Sequence, residues 1–274
     1  MQTYFINLDS RTDRRVYMEG QLHSLGMKAE RLSAVSPQTS TIRQLPTGHP
    51  EMSVRGQMTM SELACLESHS ILWQRAATSD EPILVLEDDI VLSAALPPFL
   101  SSLRHNSDWD VLRLETNFHS VRLSADEIQI NGVAARRLMQ RQSGAGAYIL
   151  TPLAARTYLS SRHMKGVPAD TMIMSAPHVF ELRVFQLLPA LCTHLEQMPP
   201  LAAGMSAAVS EIEASRSNAL GSAKSRMNSN WLSPGRRTME KLTLLVQLLR
   251  WFSWASVIRS KRMAVPPHRS LTPK

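Results

Sequence analysis

Apolar positions along the chain alternate between strand-like runs and helical spacing. Residues 3–8 (TYFINL) form an unbroken aromatic and branched run and predict a short buried strand. Asp9 or Ser10 would cap the helix that follows, with Val16, Leu22 and Leu25 on one face and Gly26 as its stop. Residues 28–35 predict a second strand, and residues 36–60, with Pro37, Pro46, Gly48, Pro50 and Gly56, predict a loop. Ser61 then reads as the cap of a helix to about Ala77, which places Cys65, His69 and Leu72 on one face. After Pro82 comes ILVLEDD, the clearest strand: a run apolar on both faces that ends in three acids and suits the centre of a parallel sheet. A helix at about 94–104 and strands at 110–114 and 144–150 follow. Thr151-Pro152 supplies the cap and first-turn proline of a helix to about Ser161. Pro168-Ala169-Asp170 begins another element, and residues 182–188 predict a last strand. This alternation predicts α/β layers around a mostly parallel central sheet.

Beyond this body the pattern changes. Residues 199–235 are rich in Ser, Ala, Gly and Asn and read as a connection. Residues 237–258 predict an apolar helix with a narrow polar stripe of Glu240, Thr243, Gln247 and Arg250. The 274 residues carry a net charge of +7, unevenly spread. From Arg226 onward ten Lys or Arg face one acid, Glu240, a net +9 that leaves −2 for residues 1–225. The body therefore has no basic excess for nucleic acid, and the basic end carries no nucleic-acid motif. Trp251 and Trp254, flanked by Arg236, Arg237, Arg259, Lys261 and Arg262, suit a helix lying in an anionic membrane surface; packing on the domain or a partner is the alternative. Two cysteines, Cys65 and Cys192, cannot build a disulfide framework and fit a reducing compartment. The N-terminus has no signal-peptide pattern and no run is long enough to span a bilayer, so the expected location is cytoplasmic.

The strongest chemical signal is Glu87-Asp88-Asp89. Carboxylates at the C-terminal end of a central parallel strand stand where α/β sheets bind ligands. Strand alternation would point Glu87 and Asp89 one way and Asp88 the other. Three adjacent anions repel, and Mg²⁺ or Mn²⁺ would hold them through hard oxygen ligands; an acidic turn is the plainer alternative. The run also resembles the acidic strand of P-loop NTPases, but the Gly-rich Lys-Ser or Lys-Thr loop that reading requires is missing. Asp9, Arg11, Asp13, Arg14 and Arg15 follow the first strand, where guanidinium groups would meet a diphosphate or pair locally with carboxylates. Cys65 and His69, at i and i+4, offer two metal ligands, too few for a structural site. Asp170 reads as a general base, an acceptor-binding carboxylate or a helix N-cap.

Several segments stand in one order: Phe5-Ile6-Asn7-Leu8-Asp9, Asp13-Arg14-Arg15, Glu30-Arg31-Leu32 with Ala34-Val35, Leu63-Ala64-Cys65-Leu66 with Ser68-His69 and Trp73, the acidic strand 83–89, Gly146-Ala147-Tyr148-Ile149-Leu150 with Ala154, and Pro168-Ala169-Asp170. This ordered set resembles glycosyltransferase family 25, the lipooligosaccharide sugar transferases related to collagen galactosyltransferases, from residue 3 to about Arg216, where Ser210-Glu211-Ile212 echo the closing pattern. Ala64 replaces the usual Gly, Ser36-Pro37 the usual Asp-Gly, and Glu67 a usually neutral residue. These departures bear on donor choice and loop geometry more than on the reaction class.

The resemblance implies a GT-A-like, Rossmann-type fold over residues 1–216, followed by a linker at 217–235 and a basic amphipathic helix and tail at 236–274. It implies transfer of a hexose, often galactose, from a UDP-sugar to a glycan or glycolipid acceptor, with a divalent cation and inversion. Position by position, Ile6, Asn7, Asp9, Arg14 and Arg15 would line the nucleotide end, with Ser68 and His69 near the donor. Glu87, Asp88 and Asp89 would hold Mn²⁺ or Mg²⁺. Asp170, and after it Glu115, is the candidate base. A lipid-linked acceptor would match a helix that holds the enzyme, through residues 236–262, on the inner face of the cytoplasmic membrane. The rival class is a non-catalytic membrane scaffold that keeps the fold.

Overall fold

The computed structural model describes residues 1–42, 58–103, 108–161, 167–175, 177–198 and 260–271. In chain order, β1 (Gln2–Asn7), α1 (Thr12–Ser24) and β2 (Glu30–Ser33) make a first βαβ unit. The long helix α2 (Met60–Ala77) leads to β3 (Ile83–Glu87), β4 (Ile90–Leu92) and α3 (Leu96–Ser102). Next come β5 (Val111–Arg113), β6 (Glu115–Thr116), the pair β7 (Ser120–Ile130) and β8 (Val133–Leu138), and β9 (Ala147–Leu150). After α4 (Pro152–Ser160), α5 (Ala169–Ile173) and α6 (Pro177–Phe180) come β10 (Val184–Leu188), β11 (Cys192–His194) and β12 (Lys261–Ala264).

Nine strands form one sheet in the order β12-β7-β8-β10-β5-β9-β3-β1-β2. The expectation of a mostly parallel sheet is corrected. β2, β1 and β3 are mutually parallel, as are β5 and β10, but β9 runs antiparallel between β3 and β5, and β8, β7 and β12 extend the sheet antiparallel. β7 and β8 are joined by Asn131-Gly132, both at positive φ (52° and 75°), the two-residue hairpin turn whose twist matches its strands.

β3 is buried on both faces, as its sequence predicts, although only β1 beside it is parallel and β9 is antiparallel. Ile83 and Val85 pack into one core with Tyr4, Trp73, Tyr148 and Tyr158. Leu84 and Leu86 pack into a second core on the opposite face with Phe5, Met18, Phe99 and Trp109. Two predicted caps shift. Thr59, not Ser61, caps α2: its hydroxyl accepts the Glu62 N–H at 3.2 Å while the Glu62 carboxylate accepts the Thr59 N–H at 2.7 Å. Arg11 is the N-cap of α1, without a side-chain cap from Asp9 or Ser10. The buried face of α1 is Arg14, Met18 and Leu22, an i, i+4, i+8 stripe, whereas Val16 is 69% exposed. Leu22 and Leu25 meet the core as expected, but Arg14 and Met18 take the inward place given to Val16.

A small second sheet, β4-β11-β6, lies beyond the acidic end of β3. β11 pairs His194 with Ile90 on β4. The basic end is corrected in part: residues 261–264 form the edge strand β12, antiparallel to β7, rather than a tail. The linker at 217–235, the predicted helix at 237–258 and the closing pattern around Ser210 lie outside the described residues. Among the described residues no helix is long and apolar enough to cross a membrane.

Candidate functional site

The C-terminal ends of the parallel strands β1, β2 and β3 open onto a cleft walled by Ile6, Leu8, Val35, Cys65 and Ser68, with Glu87, Asp88 and Asp89 along its floor. This is where an open α/β sheet leaves room for a ligand. Strands place the floor and α2 places the wall. The Ser68 hydroxyl donates to the Ala64 carbonyl at 2.8 Å and accepts the Val35 N–H at 2.9 Å, which ties the end of β2 to α2.

The acidic triplet does not alternate as expected. β3 ends at Glu87 and the chain turns at Asp88 and Asp89, so both aspartates meet the same guanidinium. Arg14 Nη1 lies 3.1 Å from Asp88 Oδ1 and 3.1 Å from Asp89 Oδ2. Asn7 Nδ2 donates to Asp88 Oδ2 at 2.7 Å and to the Arg11 carbonyl at 3.0 Å. Burial raises the Asp88 carboxyl to about 6, although Asn7 and Arg14 pull it down. Asp89 is shifted the other way: burial would raise it, but His194 and Arg14 outweigh burial and hold it below the usual carboxylate range.

Glu87 faces a different partner. Its Oε1 lies 3.1 Å from His69 Nε2, and His69 Nδ1 lies 2.9 Å from the Tyr148 hydroxyl, which also accepts the Trp73 indole N–H at 3.1 Å. A carboxylate cannot donate, so His69 Nε2–H donates to Glu87 and the Tyr148 proton is directed at Nδ1. Among the described residues, the ligand atoms of Cys65, His69 and Glu87 converge within 4.8 Å of one another. The expected metal triplet 87–89 does not form such a group.

A residue the sequence did not signal, His194, closes the far side. It stands between two carboxylates: Nδ1 is 3.8 Å from Asp89 Oδ1 and Nε2 is 3.0 Å from Glu115 Oε2. Burial would lower its pKa, but the two carboxylates raise it to about 11. Asp89 Oδ1 is buried without a hydrogen-bond partner. Glu115 is fully buried; its Oε2 accepts the Gly146 N–H at 3.0 Å, and Arg113 Nη2 lies 3.4 Å from Oε1. Burial would raise Glu115, but Arg113 and His194 hold it below the usual range. So enclosed, Glu115 cannot meet an acceptor hydroxyl in this conformation, which removes it as the second candidate base.

The remaining expected residues divide. Ile6, Asn7, Arg14, Ser68 and His69 are at the cleft or directly under it. Asp9 lies at its rim, paired with Arg31, which also donates through Nε to Asn7 Oδ1 at 3.0 Å. Arg15 points into solvent, where its Nε donates to Glu19 at 2.8 Å, one turn along α1 and away from the site. Asp170 lies in the first turn of α5; its Oδ1 accepts the Thr171 N–H at 2.6 Å and Oδ2 accepts the Gly144 N–H at 3.4 Å. It is not among the residues lining the cleft, although its charge, with those of Glu87 and Asp89, helps burial push the Cys65 thiol up.

Residues 1–173 match the family described as glycosyltransferase family 25 (LPS biosynthesis protein). The lacto-N-neotetraose biosynthesis glycosyltransferase LgtB of Neisseria gonorrhoeae is 31% identical over 205 residues, covering 70% of this chain and 74% of that protein. LgtE of the same organism is 27% identical over 208 residues, with 70% and 74% covered. The lipooligosaccharide biosynthesis protein lic2B of Haemophilus influenzae is 24% identical over 211 residues, covering 72% and 77%.

Proposed function

The chain belongs to glycosyltransferase family 25 and is a glycosyltransferase, and from that premise we propose that it moves a hexose, galactose first among candidates, from a UDP-sugar to a lipooligosaccharide or other surface-glycan acceptor, with inversion, on a GT-A-like fold. The observation that carries this reading is the Asp88–Asp89 pair, clamped by Arg14 at the strand-end cleft.

The donor atoms at this pair support a divalent cation there. Asp89 Oδ1 is a buried carboxylate oxygen that, among the described residues, makes no hydrogen bond and is faced only by His194 Nδ1 at 3.8 Å, and Asp88 and Asp89 supply the hard oxygens that Mg²⁺ or Mn²⁺ prefers. Asp89, with Asp88 beside it, would hold the ion, and Glu87 stays with His69. When bound, the ion would neutralise charge developing on a diphosphate leaving group.

The protein's own groups do the rest. Ile6 and Val35 offer an apolar wall to a nucleobase. Arg14, fixed on the buried face of α1, brings positive charge to the diphosphate end. Asn7 orients Asp88. Asp170 is the base that accepts the acceptor hydroxyl's proton as the sugar carbon is attacked. A cytosolic setting, where nucleotide sugars are made, belongs to the same proposal, as does seating of residues 237–258 on an anionic membrane surface through Trp251, Trp254 and the flanking arginines.

The test is UDP release from a panel of UDP-sugars, with and without Mn²⁺, for the wild type and Asp89→Ala. Metal-dependent release from one donor, reduced on the order of 10²–10³-fold in the variant, is the expected result. Release that Asp89→Ala leaves intact would remove the cation from this pair. No release and no donor binding would favour the non-catalytic scaffold.

A further inference from the structure

The proposed carboxylate pair leaves Glu87 unused, and the side chains around Glu87 make a second donor set of different chemistry. Cys65 and His69 are one helical turn apart on α2, so both project from the face that meets the end of β3. Glu87 is the residue that stands there. The sulfur of Cys65, a ring nitrogen of His69 and a carboxylate oxygen of Glu87 lie within 4.8 Å of one another. Tetrahedral Zn²⁺ places neighbouring N, O and S ligands roughly 3.4–3.6 Å apart, given bonds of about 2.0–2.3 Å. The three groups are therefore within side-chain adjustment of that geometry, and His69 Nε2 and Glu87 Oε1 are already 3.1 Å apart.

We propose that Cys65, His69 and Glu87 form a site for a soft or borderline divalent cation such as Zn²⁺, open to the cleft and separate from the Asp88–Asp89 pair. Three features support it. The outer support that metal-bound histidines need is built in: Tyr148 holds His69 Nδ1 and is itself held by Trp73, so Nε2 is the nitrogen aimed at the ion. Tyr148 can switch from donating to accepting when Nδ1 takes the proton, so the ring stays oriented in both states. All three ligands line the cleft, which supplies a path for the ion and a fourth position for water or a ligand atom. The donor set also discriminates: one thiol, one imidazole and one carboxylate suit Zn²⁺ or Co²⁺ and suit Mg²⁺ poorly. An ion there occupies the wall of the cleft, so it would obstruct any donor that fills it. The site itself does not rest on the glycosyltransfer reading.

Co²⁺ serves as a spectroscopic substitute for Zn²⁺. Titrated into the chelator-stripped full chain, Co²⁺ is expected to give one equivalent of a thiolate-to-cobalt charge-transfer band that Zn²⁺ displaces. Cys65→Ser, with its circular dichroism unchanged, should lose the band, and Asp88→Asn should keep it. Tyr148→Phe should weaken Co²⁺ binding by about 10- to 100-fold. Should Cys65→Ser fail to fold, Glu87→Gln carries the same test, with an expected loss of affinity of about 10-fold or more. A folded wild type without a thiolate band overturns the site. So does a band that survives Cys65→Ser, which would place the ion at Cys192, or affinity indifferent to Glu87→Gln.

Discussion

Arg14 Nη1 and His194 approach the Asp88–Asp89 turn from opposite sides, and between them they set the charge of the site. His194 is the more sensitive of the two, because it stands between Asp89 and Glu115 and its pKa is raised to about 11. A group with a folded pKa raised above its unfolded value adds stability that is complete below the unfolded value, about 6.5, and is lost as pH rises toward the folded one. In the presence of a chelator, the stability gap between the wild type and His194→Gln should therefore be widest below about pH 6.5 and narrow steadily toward pH 9 and above, as read by urea unfolding. A gap that widens with pH would mean His194 is neutral here. Gly146 matters for a different reason: a Cβ at this position would collide with Ile90 Cδ1 and meet Glu115 Oε2 at 2.7 Å. Gly146→Ala should cost about 1–3 kcal/mol in urea unfolding, as overpacking does. Asn7, Arg14, Ser68 and His69 entered through the family resemblance; spacing alone left Arg14 open to a local ion pair and His69 to a place in the core, and the fold sets all four at or under the cleft. His194 was not legible in the sequence, since a single histidine after Cys192-Thr193 carries no spacing signal and is brought to Asp89 only by pairing between distant segments. Arg15, carried over with Arg14 by the resemblance, instead pairs with Glu19 on the solvent side, since neighbouring helical positions point about 100° apart.

At the scale of elements, α2 carries Cys65, Ser68 and His69, so the cleft depends on how firmly that helix begins. Its start is the reciprocal Thr59–Glu62 box. Thr59→Ala should reduce stability by about 1 kcal/mol, with a lowered urea midpoint and an unchanged slope; an unchanged midpoint would show that packing against the sheet alone fixes the helix. Periodicity found α2 and β3 because each is long or continuously apolar. It missed β7 and β8, whose strands, SVRLSADEIQI and VAARRL, are too polar to alternate cleanly. The Asn131-Gly132 pair between them was the one local signal available, and it marks the turn. The antiparallel insertion of β9 was not legible at all, because strand direction is decided by connections and not by the residues of the strand.

At the scale of the whole molecule, the last described segment decides whether the basic C-terminus is an appendage or part of the domain. Its sequence looks dispensable: Lys261 and Arg262 read as flanks of a helix, and the prolines as a tail. The structure brings it back onto the body. β12 covers the edge of β7, the Val265 carbonyl accepts the Thr116 hydroxyl at 2.8 Å, and Ser93 Oγ lies 3.1 Å from His268 Nδ1. Val265 and Leu271 are buried, to 1% and 2% exposure. Burial of two such side chains is worth roughly 3–6 kcal/mol, a large share of the 5–15 kcal/mol typical of a folded domain. Removing the segment would also bare the β7 edge, an exposed ladder that invites pairing between molecules. A chain ended at residue 259 should therefore melt several degrees below the full chain and aggregate on heating, whereas a chain ended at residue 271 should melt with the full chain. Equal melting of all three would return residues 260–271 to the status of a tail. The expected order instead makes residues 260–271 part of the folded domain, tied to it through β12 and the buried Val265 and Leu271.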